Sequence, residues 1–227
     1  MLFLAVFCGF LAEYQLEHTI EHNRERQFMS SLVEDLTTDS TELSKALQKC
    51  DSVARFSDSV LIFLSSYKIG AQLPSRFAAM IGTAGQNQFL INTDRTSSQL
   101  KNSGAMRLVR KKNVSDGILQ YWKQIEVTNI SLERYMKYRD AGRSLVFKLW
   151  VIPEVYKRSH LLYGDQIPDS LQMLRVIDTD HKKWDELSNL MAISGSISRQ
   201  AHSLNLKNQK ALASNLIELV KKEYHLK

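Results

Sequence analysis

The chain has 227 residues, 44% of them hydrophobic and 24% charged, with nine glycines and only three prolines. That composition supplies a full core and little to interrupt long elements. The net charge of +6 comes from 30 basic and 24 acidic residues mixed along the chain. A dedicated nucleic-acid binder would gather its Lys and Arg on one face, so no nucleic-acid partner is expected. Two cysteines, Cys8 and Cys50, with Cys8 inside an apolar run, exclude a Cys-based metal site and argue against an internal disulfide.

Residues 1–12, MLFLAVFCGFLA, carry no charge and are followed by Glu13. A helix that spans a bilayer needs about 20 apolar residues. A signal peptide would show a basic start and a small-residue cleavage site, and neither is present. The remaining readings are a spanning helix that starts ahead of Met1, an interfacial anchor, and a buried core helix. The first is expected: residues 1–12 embed in the membrane, Tyr14 anchors at the interface, and Leu16 and Ile20 lie near the headgroups.

No glycine or proline occurs between Gly9 and Gly70. Met29, Leu32, Leu36, Leu43, Leu47, Val53, Val60, Leu64 and Tyr67 recur at helical spacing, which predicts one long helix over about 13–68. The run Thr37-Thr38-Asp39-Ser40-Thr41 is its weakest place, where a kink or break is expected. Pro74 opens a short helix over Ser75–Ile81, ended by Gly82 and Gly85. Asn92, Thr93 or Asp94 caps another that stops at Gly104. Asn113 and Asp116 start a long helix over about 114–151, with Gly142 as a soft point. Pro168 is expected to start a short helix carrying Leu171, Leu174 and Val176. The last long helix, about 180–224, has its stripe at Trp184, Leu187, Met191, Ile197, Leu204, Ala211, Leu216 and Val220. No alternating run is long enough to predict a strand.

These elements predict an all-α chain: a membrane segment at 1–12 continuing into an elongated helical bundle over 13–227. Residues 13 to about 35 lie nearest the membrane and have no evident partner within the chain. Leu16, Ile20, Phe28, Met29, Leu32 and Leu36 are therefore expected to be partly bare, as sites for a homo-oligomer or an envelope protein partner.

Two blocks, GFLAEYQLEHTIEHNRERQFMSSLVEDL from Gly9 to Leu36 and TSSQLKNSGAMRLVRKKNVSDGILQYW from Thr96 to Trp122, are in the order seen in a known family. They resemble uncharacterised bacterial envelope proteins, mainly from Bacteroidota, that share a domain of unknown function. Members carry one N-terminal transmembrane helix running into a long helix, and a QLKxSGxxRL-like turn into another. The resemblance implies a single-pass protein of the bacterial inner membrane with its bundle outside the cytoplasm. It also implies a basic stretch and further apolar residues ahead of the first block. It brings no activity with it.

Three local patterns have chemical meaning. His18-Thr19-Ile20-Glu21-His22 matches H-x-x-E-H, in which His18 and His22 would bind zinc and Glu21 would act as base. A polar collar beside the membrane, with Glu13, Glu17, Glu21 and Glu25, accounts for the same residues without a metal. The turn from Lys101 to Arg107 could hold an anion on Gly104 and Arg107, although Gly104 also stands where a helix should end. Arg107, Arg110, Lys111 and Lys112 form the one tight basic run, which could grip phosphate or simply face solvent. No cofactor fingerprint, nucleotide loop or Ser-His-Asp set is present. The expected function is a membrane-anchored interaction or structural protein without enzymatic activity. Alternatives are a sensory input module acting through a partner and, more remotely, a zinc hydrolase.

Overall fold

The computed structural model describes residues 2–86, 90, 92–151 and 173–226. The fold is all-α apart from a two-residue ladder. Helix α1 runs Leu2–Ser66, α2 Ser75–Ala84, α3 Arg95–Asn102, α4 Lys112–Leu149, α5 His181–Ile197 and α6 Ser203–Tyr224. A 3-10 turn covers Ala105–Leu108, and a π-helical turn, Ser198–His202, joins α5 to α6. The ladder pairs β1, Leu73–Pro74, with β2, Met173–Leu174, antiparallel, and Trp150 bridges Val176. Leu174 and Val176 are thus extended, where a helix was expected. Pro168 and Leu171 of that expected helix lie outside the described residues.

Helix α1 passes through its polar run unbroken. Thr37, Thr38, Ser40, Thr41 and Ser44 each donate a side-chain hydrogen bond to the carbonyl four residues earlier. Back-bonding of this kind spends the hydroxyls inside the helix, so they offer the backbone no alternative to it. Most buried positions of α1 follow a heptad rule: Glu25, Met29, Leu32, Leu36, Asp39, Leu43, Ala46, Cys50, Val53, Ser57 and Val60, with Asp35 and Ala54 buried beside that line. Steps alternate between four and three, the geometry of a coiled-coil seam. Ala46, not Leu47, occupies the seam, and Leu47 lies beside it half-buried.

The chain divides into two compact units. The first comprises Met1–Ser44, Leu90–Ile125 and Asn208–Lys227. Its core joins Met29, Leu32 and Leu36 of α1 to Leu100, Ile118, Tyr121, Leu216 and Val220. Met29, Leu32 and Leu36 are at most 2% exposed and Phe28 is half-buried. The expectation that these four form a bare docking stripe is corrected: helices α3, α4 and α6 cover them. Leu16 and Ile20, at 61% and 43%, are exposed.

The second unit comprises Lys45–Phe89 and Glu126–Lys207. Its core is aromatic. Trp150 sits 5.9 Å from Phe77 and 6.2 Å from Trp184, ring centre to ring centre, and Tyr67 lies 5.1 Å from Trp184. The ladder places Leu73 and Leu174, both buried, in the same cluster. Edge-to-face and tilted pairs at such distances add to simple area burial.

The π turn shifts the register of the final stripe. Leu204, expected inward, is 57% exposed, and Ala211 is exposed, whereas Leu206 and Ala213 are fully buried. A π turn inserts a residue into the helix and rotates the turns that follow it, while Leu216 and Val220, also expected inward, are buried.

Two glycines meet different neighbours. A Cβ on Gly195 would stand 2.7 Å from the Ser57 Cβ of α1, an atom fixed to the backbone. A Cβ on Gly142 would meet the Met191 methyl at the same 2.7 Å, the free end of a flexible chain. Gly195→Ala should therefore lose about 2 kcal/mol by overpacking. Gly142→Ala should be neutral, or gain up to about 1 kcal/mol of helix propensity. Urea unfolding of both variants checks this, and equal losses would contradict the packing difference.

Candidate functional site

Three carboxylates of α1 are buried: Glu25, Asp35 and Asp39, at 2–4% exposure. Burying a carboxylate is costly unless donors surround it. Here the donors come from the main chain of the segment that follows residue 90. Asp39 Oδ1 accepts from the Thr93 N–H at 2.7 Å, Asp35 Oδ2 from the Thr96 N–H at 2.9 Å, and Glu25 Oε1 from the Arg110 N–H at 2.8 Å. Thr96 stands in the first turn of α3, whose own Asp94 makes no side-chain cap. Asp35 thus caps α3 from another helix. The Arg95 guanidinium adds a second bond to Asp35 at 2.9 Å and reaches Glu34 at 3.0 Å.

Two phenols complete the set. Tyr121 donates to Asp39 Oδ2 at 2.6 Å and Tyr224 to Glu25 Oε1 at 2.5 Å. Burial raises both phenol pKa values, and the adjacent carboxylates raise them further, so both stay protonated donors. In this unit, bonds at Thr93, Thr96 and Arg110 meet α1 at residues 39, 35 and 25 in turn. The chain after residue 90 therefore runs back along α1, and α4 turns forward again to place Tyr121 at Asp39.

The H-x-x-E-H residues lie on an exposed face of α1. His18, Glu21 and His22 are all exposed. The Arg110 guanidinium lies 3.4 Å from His18 Nε2, 3.3 Å from Glu21 Oε2 and 3.9 Å from Glu25 Oε2. A cation thus fills the space beside His18 and Glu21. Among the described residues no group of three His, Cys, Asp or Glu could hold a metal ion.

The turn after α3 is a helix end. Ser103 caps the C-terminus, and Gly104 takes the left-handed conformation at φ +66°. The same turn forms one wall of a cleft of about 490 Å³. Arg24, Gln27 and Ser31 of α1 form the facing wall, and Gln99, Ser103 and Arg107 complete its polar lining. Of the basic run, Arg107 enters this cleft, Arg110 covers α1, Lys111 pairs with Glu223 at 3.6 Å and Lys112 with Asp116 at 2.6 Å. The run is therefore dispersed over several partners. Leu108 is half-buried and Val109 buried between them, as the sequence suggests.

The second unit holds a buried polar pair. Ser131 donates to the Thr128 carbonyl at 2.7 Å, so its oxygen accepts from His202 Nδ1–H at 2.9 Å. His202 Nε2 is then the unprotonated nitrogen, and it has no partner among the described residues. Burial lowers the His202 pKa to about 4. Burial likewise pushes the Cys50 thiol up to about 11, which leaves it protonated and a poor nucleophile. Of the scattered histidines, His202 alone is buried among those described.

Sequence reasoning found the turn, the basic run and the H-x-x-E-H pattern. It missed the three carboxylates. The available signal was phase: Glu25 and Asp39 fall on the seam, seven residues from Leu32 in each direction. No family model, curated protein or solved structure matches the chain.

Two outcomes follow from these bonds. Asp35→Ala should cost about 2 kcal/mol, because it strips a buried N–H and a helix cap of their acceptor. Asp58→Ala, which breaks the exposed pair with Arg199, should cost under about 0.5 kcal/mol. Chemical denaturation of the two variants compares them directly. The second outcome concerns pH. The folded His202 pKa is depressed from 6.5 to about 4, so its neutral form is favoured by folding. That contribution is complete above pH 6.5 and is lost as pH falls toward about 4. Wild type should lose up to about 3 kcal/mol relative to His202→Gln between pH 7 and pH 4. A constant difference between the two melting series would refute the assignment.

Proposed function

We propose that this chain is a membrane-anchored helical interaction protein, with the apolar start of α1 embedded in lipid and the helical units holding a partner at the membrane surface. One observation supports this above others. From Val6 to Arg24 every side chain of α1 is exposed, and Phe3, Val6 and Phe10 are 82%, 66% and 66% accessible. The first charged residue is Glu13. A helix that is apolar on every side and exposed among the described residues calls for an apolar surrounding. Among the described residues no helix is long and apolar enough to cross a membrane, so the proposal is of embedding.

The collar that follows suits the interface. Tyr14, 58% exposed, has the amphipathic ring favoured at headgroup depth. Glu13, Glu17, His18 and Glu21 then bring the helix into water. Leu16 and Ile20 remain available for contact with a second copy or with another envelope protein. The resemblance noted above favours the outer face of the bacterial inner membrane for the helical units. No catalytic step belongs to this proposal.

Full-length protein should fractionate with membranes and resist extraction by salt. Phe7→Asp combined with Phe10→Asp should move it to the soluble fraction, since each carboxylate at depth costs about 2.5–3.5 kcal/mol. Wild-type protein that is monodisperse in buffer without detergent would overturn the proposal.

A further inference from the structure

We infer that the cleft between α1 and the turn after α3 binds a phosphate group, carried either by an anionic lipid headgroup or by a small soluble phosphate. The cleft, of about 490 Å³, has the size of a small-ligand site. Two guanidinium groups reach it from separate elements, Arg24 from α1 and Arg107 from the 3-10 turn.

Within the cleft, positive charge exceeds negative, and the two guanidinium groups converge on one concave space. The side chains of Arg24 and Arg107 have no ion pair or hydrogen bond among the described residues. The one acid in the lining, Glu21, is held by Arg110 at 3.3 Å. The cleft therefore keeps uncompensated positive charge. The side-chain amides of Gln27 and Gln99, without a hydrogen-bond partner among the described residues, add neutral donors.

The donor set suits phosphate better than carboxylate. A guanidinium offers a planar fork that two oxygens of one anion can satisfy. Two forks plus two amides provide for an anion with more oxygens than a carboxylate has. Position supplies one source. Arg24 lies four residues past Ile20, the last bare large apolar side chain of the N-terminal segment, a rise of about 6 Å. On the membrane-anchored reading, on which only the lipid source rests, the cleft opens at headgroup depth.

The test uses full-length protein in two assays. Calorimetric titration with inorganic phosphate reads the soluble source. Flotation with phosphatidylcholine vesicles, with and without phosphatidylglycerol, reads the lipid source. Arg24→Gln and Arg107→Gln should each weaken phosphate binding, the phosphatidylglycerol preference, or both by about tenfold. Arg107→Lys should fall between wild type and Arg107→Gln. Lys222→Gln, a surface charge outside the cleft, should stay within about twofold of wild type. Arginine-dependent phosphate binding without any vesicle association would retain the site and reject the anchor. The inference is overturned if neither assay responds to the arginine variants. It is equally overturned if Lys222→Gln loses as much, which would mean diffuse surface charge.

Discussion

Much of the first unit depends on one exchange between side chain and backbone. Glu25, Asp35 and Asp39 are carboxylates on the buried side of α1, and each accepts a main-chain N–H from the segment after residue 90. Neither party could be buried alone. An isolated carboxylate in an apolar interior is prohibitively costly, and a buried N–H without an acceptor loses the value of its lost water. Together they fix which residue of the returning chain meets which turn of α1. Slippage by one turn would strand several groups at once. Apolar contacts between Leu36, Leu100 and Tyr121 tolerate small shifts, whereas a bond of 2.7 Å does not.

The seam carries the same logic along α1. An alternation of four and three keeps one line of residues facing its neighbours over about ten turns, from Glu25 to Val60. Apolar seams permit neighbouring registers of similar energy, and polar positions within them select one. Glu25, Asp39 and Ser57 are such positions. Ser57 has a second role, because its small side chain and the bare Gly195 let α5 approach α1 closely. The π turn just beyond Gly195 then rotates the rest of the chain, which places His202 and Leu206 inward together.

The start of α1 differs from everything after Glu25. It makes the same hydrogen-bonded helix, yet from Val6 to Arg24 every residue is exposed. Charge is organised around this change. Arg110 leans back over Glu21 and His18, Tyr224 donates to Glu25 on the neighbouring turn, and Lys111 pairs with Glu223. Arg24 and Arg107 are left facing open space. Two guanidinium groups without an ion pair among the described residues, lining one cleft, leave a local field available to an anion.

The all-α class, the end of α1 before Gly70, the end of α3 at Gly104 and the long α4 were legible in the residues themselves. Helix formation is local: each bond joins positions four apart, so a short stretch of sequence carries the signal. The apolar start was equally plain, being a property of composition. What residues pack against is a different kind of fact. Met29, Leu32 and Leu36 looked bare because their cover, Leu100, Ile118 and Leu216, comes from segments more than 60 residues away. Leu204 and Ala211 looked buried because a single π turn is invisible to a pattern that assumes constant pitch. The ladder of Leu73 with Leu174 is too short for any alternation to announce it. Asp35, Asp39 and Glu25 read as solvated charge until the main chain that needs them was brought alongside, and only the tertiary fold does that.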